Sequence, residues 1–297
     1  MRSPITWFGG KGSMTAKLLP FVPPHHTYCE PFGGGASLLF AKDPAPVEVY
    51  NDLDEGLVHF FRTLRNRRHA AELRRRCLLT PYSRAEYHRC RATWRDCRGP
   101  IERAYRWYVC ARCSFGGRFS ASWSYARTHS VRGKAEPVST WQGAVAGLRA
   151  ACDRLLDVQI ERADFRRIFA SYDSPATLFY VDPPYVHSTR TDKRYACELS
   201  DADHADLVAL LRKLEGMVLL SGYRNGLYRP LERAGWRRKD WRTASAAAGR
   251  TRATGILGPG AATKKQPRIE SVWISPAAAA ALKNVGGRVR ETHQPER

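Results

Sequence analysis

The chain of 297 residues carries 49 Lys and Arg against 28 Asp and Glu, a formal net charge of +21, with 43% apolar residues. That length suits one large domain or two smaller ones with a sizeable core, and no apolar run approaches the ~18–20 residues of a membrane helix, so a membrane role is not expected. Eight cysteines without a paired framework, and an N-terminus (Met1-Arg2-Ser3-Pro4) that lacks an apolar signal core, point to reduced thiols and a cytoplasmic site of action.

In chain order, Thr27-Tyr28-Cys29 reads as a short strand that runs into Glu30-Pro31-Phe32-Gly33-Gly34-Gly35. Ala36 to Phe40 begins a helix, and Val47 to Tyr50 is a second strand closed by Asn51-Asp52-Leu53-Asp54. Strand, glycine loop, helix, strand and acid form the front half of a nucleotide-binding α/β unit. From Glu55 to about Val145 the chain turns rich in Arg, Trp, Tyr and helix formers. Leu57, Phe60, Phe61 and Leu64 follow helical spacing, as do Tyr105, Tyr108 and Val109. Arg112 to Trp141 reads as loops or a hairpin.

Between Phe60 and Ala135 lie 19 Lys and Arg against 4 Asp and Glu, most of the excess charge of the whole chain. Codon bias could enrich arginine everywhere, but it would not concentrate the surplus in one segment. A polyanion such as nucleic acid suits this density.

The α/β pattern then resumes. Val158-Gln159-Ile160 is a strand ending near Asp164-Phe165, and Leu178 to Val181 is the next. A helix from Asp201 to Leu214 leads to the strand Met217 to Leu220, closed by Ser221-Gly222-Tyr223. Thr243 to Arg268, rich in Ala, Gly, Arg and Lys, reads as a basic loop, with Lys264 and Lys265 as candidate DNA contacts. Ile269 to Ile274 is a last strand, and the tail beyond Pro276 is expected to fray.

Three glycines after a strand let backbone approach a ligand, yet neither G-x-G-x-x-G nor a P-loop G-K-[ST] is present. A dinucleotide or triphosphate is therefore not the best guest. S-adenosylmethionine (SAM) has no phosphate, and Asp52 stands where an acid can bind ribose hydroxyls. Asp182-Pro183-Pro184-Tyr185 closes the apolar run Leu178 to Val181. Proline stiffens the turn and removes donors, leaving a carboxylate, carbonyls and a ring suited to a flat base bearing an amino group. Alone, the tetrapeptide also fits a Pro-rich turn with a packing tyrosine. Cys110-x-x-Cys113 has no second pair of matching spacing, so no metal is expected.

Trp7-Phe8-Gly9-Gly10-Lys11, Glu30 to Gly35, Asn51-Asp52 and Asp182 to Tyr185 occur in that order. The set resembles the Dam-like DNA adenine methyltransferases over Ile5 to about Ser275. The resemblance implies a Rossmann-like SAM-dependent α/β fold with a mixed, mostly parallel sheet. It also implies a catalytic domain of residues 1–56 and 146–283, a helical basic recognition insertion of 57–145, and a flexible tail of 284–297. By position, Trp7, Lys11, Glu30, Phe32, Gly33, Gly35, Asp52, Asp164 and Phe165 would surround the cofactor. Asp182, Pro183, Pro184 and Tyr185 would hold a flipped adenine and activate its N6 amino group, without a metal.

Arg112 and Arg118, around the Ser114-Phe115-Gly116-Gly117 loop, are candidate contacts to double-stranded DNA. Relatives that read GATC carry a lysine just before the Trp, where this chain has Thr6, and their Asn- and Arg-containing hairpin is not recognisable between Arg112 and Trp123. These departures resemble phage- or prophage-borne members, and a monomer in a bacterial or phage-infected cell is expected. A restriction nuclease partner is left open. Two other readings stand at this point: an RNA base methyltransferase, since D-P-P-Y also occurs there, and a non-catalytic DNA-binding protein on the same scaffold.

Overall fold

The computed structural model describes residues 1–7, 9–119, 121–185, 198–244 and 267–291. Seven strands form one sheet: β1 (Thr27–Glu30), β2 (Val47–Asn51), β5 (Val158–Glu161), β6 (Thr177–Val181), β7 (Met217–Tyr223), β8 (Arg237–Ala244) and β9 (Pro267–Ile274). Two two-residue strands, β3 (Ser130–Val131) and β4 (Lys134–Ala135), make a separate hairpin. The sheet order is β5-β2-β1-β6-β7-β9-β8, parallel except where β9 runs against both β7 and β8.

The apolar runs explain the centre of the sheet. All of β6 is buried, as befits a parallel strand covered on both faces. Alternation then divides the residues. Tyr28, Tyr50, Leu178, Tyr180 and Leu219 join one core, while Cys29, Val49, Phe179, Val181 and Leu220 join the other. The second core is closed by α9 (Phe165–Tyr172), α10 (Asp201–Leu211) and α11 (Arg229–Arg233).

The first core is continuous with the helices that lie between β2 and β5. After α1 (Thr15–Leu18) and α2 (Ser37–Ala41), these are α3 (Glu55–Arg65), α4 (Arg67–Leu79), α5 (Arg84–Thr93), α6 (Pro100–Cys113), α7 (Glu136–Ala146) and α8 (Leu148–Leu155). Asp54 starts α3 by accepting the Leu57 amide at 2.9 Å, and Asn66 and Ser83 cap α4 and α5 in the same way. Phe60 of α3 stacks on Tyr108 and Trp107 of α6, with centroids 5.0 and 5.1 Å away. Gly56 admits the Trp107 indole: a Cβ there would stand 2.1 Å from Nε1.

Three local readings of the sequence need correction. Glu136 to Trp141, expected in loops or a hairpin, starts helix α7 behind Pro137, which suits the first helical turn. Strand β8 was not foreseen; its Arg-Arg-Lys-Asp start is an edge-strand composition that keeps solvent on one side. The stretch Pro276–Glu291, expected to fray, is assigned as helix α12; residues 292–297 lie outside the described residues. Lys264 and Lys265 lie outside the described residues.

The chain crosses from β1 to β2 and β5 on one side, then returns to β6 on the other. The strand order therefore reverses between β1 and β6, and a crevice opens there at the carboxyl ends of the strands.

Gly56→Ala is expected to destabilise the fold by ~1–3 kcal/mol through overpacking against Trp107. Gly143→Ala, where a Cβ meets nothing within 4 Å, is expected to stabilise α7 by ~0.5–1 kcal/mol. Urea unfolding of both variants checks the pair of signs.

Candidate active site

The crevice at that reversal is lined from four strand ends: Glu30 at the end of β1, Asp52 after β2, Phe165 after β5 and Asp182 after β6. Buried Asn51 holds three of these ends together. Its amide donates to the Pro31 and Ala163 carbonyls at 2.8 and 2.9 Å, and its Oδ1 accepts the Ala163 amide at 2.8 Å.

The glycine loop is shaped by the chain itself. A Cβ on Gly33 would stand 2.2 Å from the Tyr50 ring, so no other residue fits without moving β2. Tyr50 in turn donates its hydroxyl to the Gly34 carbonyl at 2.9 Å, and Trp7 packs against Gly34 and Gly35. Two loop amides are engaged: Gly33 N–H donates to the Asn51 carbonyl at 2.7 Å, and Gly34 N–H to Asp52 at 2.8 Å.

Asp52 also accepts the Asp54 amide at 2.8 Å, and burial pushes its carboxyl up to about 6. Phe32 and Phe165 pair across the floor with centroids 5.3 Å apart. Asp164, by contrast, caps α9 through the Arg166 amide and pairs with the Arg166 guanidinium at 3.2 Å. It does not line the crevice as described, whereas Ala163 and Phe165 on either side of it do. Glu30 is fully buried and accepts from the Tyr28 hydroxyl at 2.7 Å and the Leu39 amide at 2.9 Å. Desolvation raises its carboxyl to about 7.

Asp182 lines the crevice just after β6, while Tyr185, three residues on and 6% exposed, is not one of the lining residues. Lys11 reaches between them: its ammonium donates to Asp182 Oδ1 at 2.8 Å, to the Gly9 carbonyl at 3.2 Å, and lies 4.7 Å from the centre of the Tyr185 ring. Burial raises the Asp182 carboxyl, and the Lys11 charge pulls it back. Pro183 and Pro184 complete the wall. The arrangement brings an acceptor and a ring face to one nitrogen that bears N–H groups.

Trp7 connects this site to the helices by stacking on Trp107 at 6.0 Å. Just before it, Thr6 accepts a hydrogen bond from Arg112 at 2.6 Å, and Arg112 also donates to the Thr140 carbonyl at 3.1 Å. Arg112, read from sequence as a DNA contact, thus clamps the start of the chain to α6 and α7. Gly117 presses on the same point, where a Cβ would stand 2.6 Å from the Thr6 carbonyl oxygen. Arg118 follows it on the half-buried side of that loop. Cys110 and Cys113 are buried in α6, and desolvation pushes both thiols up to about 12.

Several residues at the site had no role assigned from sequence. Asn51 was read only as part of a motif. Tyr180, Leu53 and Asp54 line the crevice beside the acids. Tyr223 and Glu270 both touch Tyr185. The charge of Glu270 inside the run Ile269 to Ile274, otherwise apolar but for Ser271, was the one available signal.

The family model for D12 class N6 adenine-specific DNA methyltransferases matches residues 7–229, and the chain belongs to that family. No curated protein sequence matches the chain. Two structures of the rRNA methyltransferase aviRa from Streptomyces viridochromogenes align at 12% identity, covering 93% of this chain and 86% of that one, with TM-scores of 0.36 and 0.37. Among the described residues, no helix is long and apolar enough to cross a membrane.

The raised carboxyl of Glu30 has a sign that can be measured. Its contribution to stability is full below about pH 4.5, the ordinary glutamate value, and is lost as pH rises through about 7. Glu30→Gln keeps an acceptor for Tyr28 and Leu39 without the charge. Wild type is expected to lose on the order of 3 kcal/mol more than this variant between pH 5 and 9, read by urea unfolding at each pH.

Proposed function

We propose that the protein transfers a methyl group from SAM to the N6 amino group of an adenine flipped out of duplex DNA. One observation carries the reading: the Lys11 ammonium seated 2.8 Å from Asp182 and 4.7 Å from the Tyr185 ring centre. A seat that holds a nitrogen donor between a carboxylate and an aromatic face, beside a ligand crevice, suits an aromatic amino group. Membership of an N6-adenine DNA methyltransferase family supports the choice of adenine and of DNA.

The crevice also suits the cofactor on grounds of charge. Glu30, Asp52, Asp54 and Asp182 line it, with Lys11 as counter-charge. A dinucleotide or triphosphate would meet repulsion there, and the Gly33 and Gly34 amides are already engaged. SAM carries a net positive charge and no phosphate. Asp52 spends two described hydrogen bonds on backbone amides and, as a carboxylate, retains lone pairs for ribose hydroxyls. Phe32 and Phe165 offer apolar surface for the adenine portion. When bound, SAM supplies an electrophilic methyl on a positively charged sulfur.

The rest of the chemistry falls to this chain. Unstacking the target base costs a few kcal/mol, and Tyr185 recovers part of it by stacking. Asp182 accepts one amino proton in a hydrogen bond, and the Pro183 carbonyl accepts the other. Together they draw the nitrogen lone pair out of the ring and aim it at the methyl carbon. The new N–C bond forms as the old C–S pair returns to sulfur, and the nitrogen sheds one proton. Asp182, whose burial raises its affinity for protons, is the group within reach. Lys11 must leave the seat before the base enters. Orientation and fixed charges supply the rate.

Exposed Arg132 in the β3–β4 hairpin and Arg127 before it, with Arg68 on α4, Arg91 on α5 and Arg98 between α5 and α6, face solvent and suit DNA phosphates. The residues from 57 to 145 act as the target-recognition part, and the enzyme works as a monomer in the cytoplasm.

Radiolabelled methyl transfer from SAM to duplex DNA, against RNA as the alternative acceptor, tests the reading. Asp182→Ala is expected to lower transfer by at least ~10³-fold while SAM binding persists. Label appearing in RNA alone sinks the DNA assignment, and undiminished transfer by the variant removes Asp182 from the chemistry.

The pH dependence of cofactor binding provides a second check. The Asp52 carboxyl titrates at about 6, and its ionised form is the better acceptor for ribose hydroxyls. SAM affinity is expected to fall about tenfold as pH drops from 7.5 to 5 in wild type and to be flat in Asp52→Asn, measured by calorimetry.

A further inference from the structure

Strand β9 runs antiparallel to β7, so its early residues reach the sheet edge where the parallel strands end. The register pairs Tyr223 with Glu270 there. Both members of that pair hold the same side chain. The Tyr185 hydroxyl donates to Glu270 Oε2 at 2.8 Å, and the Tyr223 ring meets the Tyr185 ring edge-on, with centroids 4.4 Å apart at 65°. Tyr185 is 6% exposed, and the Lys11 ammonium lies over its face.

A ring used only as an apolar plate could be a phenylalanine, with no hydroxyl to pair on burial. A phenol that donates to a carboxylate gains two properties. Its ring plane is fixed against rotation about the side-chain torsions. Its face becomes richer in electrons, which strengthens attraction for a cation above it. Lys11 shows that this face and the Asp182 carboxylate together accept a positive nitrogen. On the reading given under Proposed function, the attacking nitrogen is neutral in the ground state and gains positive charge as the N–C bond forms. An interaction that strengthens with that charge lowers the barrier without tightening substrate binding.

We infer that Glu270, far in sequence from Tyr185, is a positioning residue: it sets the Tyr185 ring through the hydroxyl and strengthens its hold on the charge that develops at the target nitrogen. The expected signature is a change in the transfer step with binding preserved.

Single-turnover transfer from radiolabelled SAM to duplex DNA tests this with wild type, Glu270→Gln, Tyr185→Phe and the double variant. Each single variant is expected to lower the rate constant about tenfold, and the double variant no further, because both remove one hydrogen bond. SAM and DNA dissociation constants are expected to stay within about twofold. Tyr185→Phe leaves the strands untouched, so it decides the matter even if Glu270→Gln folds poorly. Wild-type rates in both single variants, or multiplying losses in the double variant, would overturn the inference alone. A wild-type protein that methylates neither DNA nor RNA would overturn the functional reading, and this inference with it.

Discussion

Asn51 is the constraint on which the site depends. It is 1% exposed, and a buried amide side chain is costly unless its groups are paired. Its three hydrogen bonds to Pro31 and Ala163 tie the carboxyl ends of β1, β2 and β5 into one plane. A slip of β2 by one residue would turn Asn51 to the opposite face and leave those groups unpaired. The register of half the sheet is thus specified by polar geometry as well as by apolar pattern. Everything the crevice needs on that side follows from it: the glycine loop above Tyr50, Asp52 beneath the loop, and Phe165 at the start of α9.

The crevice and the rest of the molecule divide the charge between them. The protein is strongly basic, yet its cavity gathers carboxylates. Crowding and burial push Glu30, Asp52 and Asp182 upward together. Each therefore holds its negative charge reluctantly, and a cationic ligand relieves all three at once. On the helices, Arg75, Arg76, Arg89 and Arg106 are paired internally with Glu72, Glu86 and Glu102. The arginines outside such pairs are the ones that set the outward field.

The central strands were legible because parallel β-structure leaves continuous apolar runs such as Leu178 to Val181. Loops at their ends were legible because Gly33 and the Pro183-Pro184 pair admit few substitutes. Contacts made across long separations were not. Nothing near Lys11 in sequence indicates that its ammonium rests on Asp182, 171 residues away. Arg112 looked available for DNA because sequence cannot show that Thr6 and Thr140 fold back onto it. Asp164 looked like a ligand contact beside Phe165, but a residue before a helix is as well suited to capping it. Strand β8 escaped notice because an edge strand buries too little to show a pattern.

The helices α3 to α8 interrupt the chain between two strands that are neighbours in the sheet. Closing a disordered loop of 112 residues, the span of the Asn51–Ala163 contact, costs about 4 kcal/mol in chain entropy alone. Helices made of local contacts form sooner than parallel strand pairs. Once α3 and α8 lie side by side, β5 is delivered next to β2 and most of that entropy has already been lost. The order of assembly is then dictated: the helical unit condenses first, and the ligand crevice is among the last parts to form. A substitution that loosens the helices far from the crevice will register as slow refolding of the active site before it registers as weak binding to DNA.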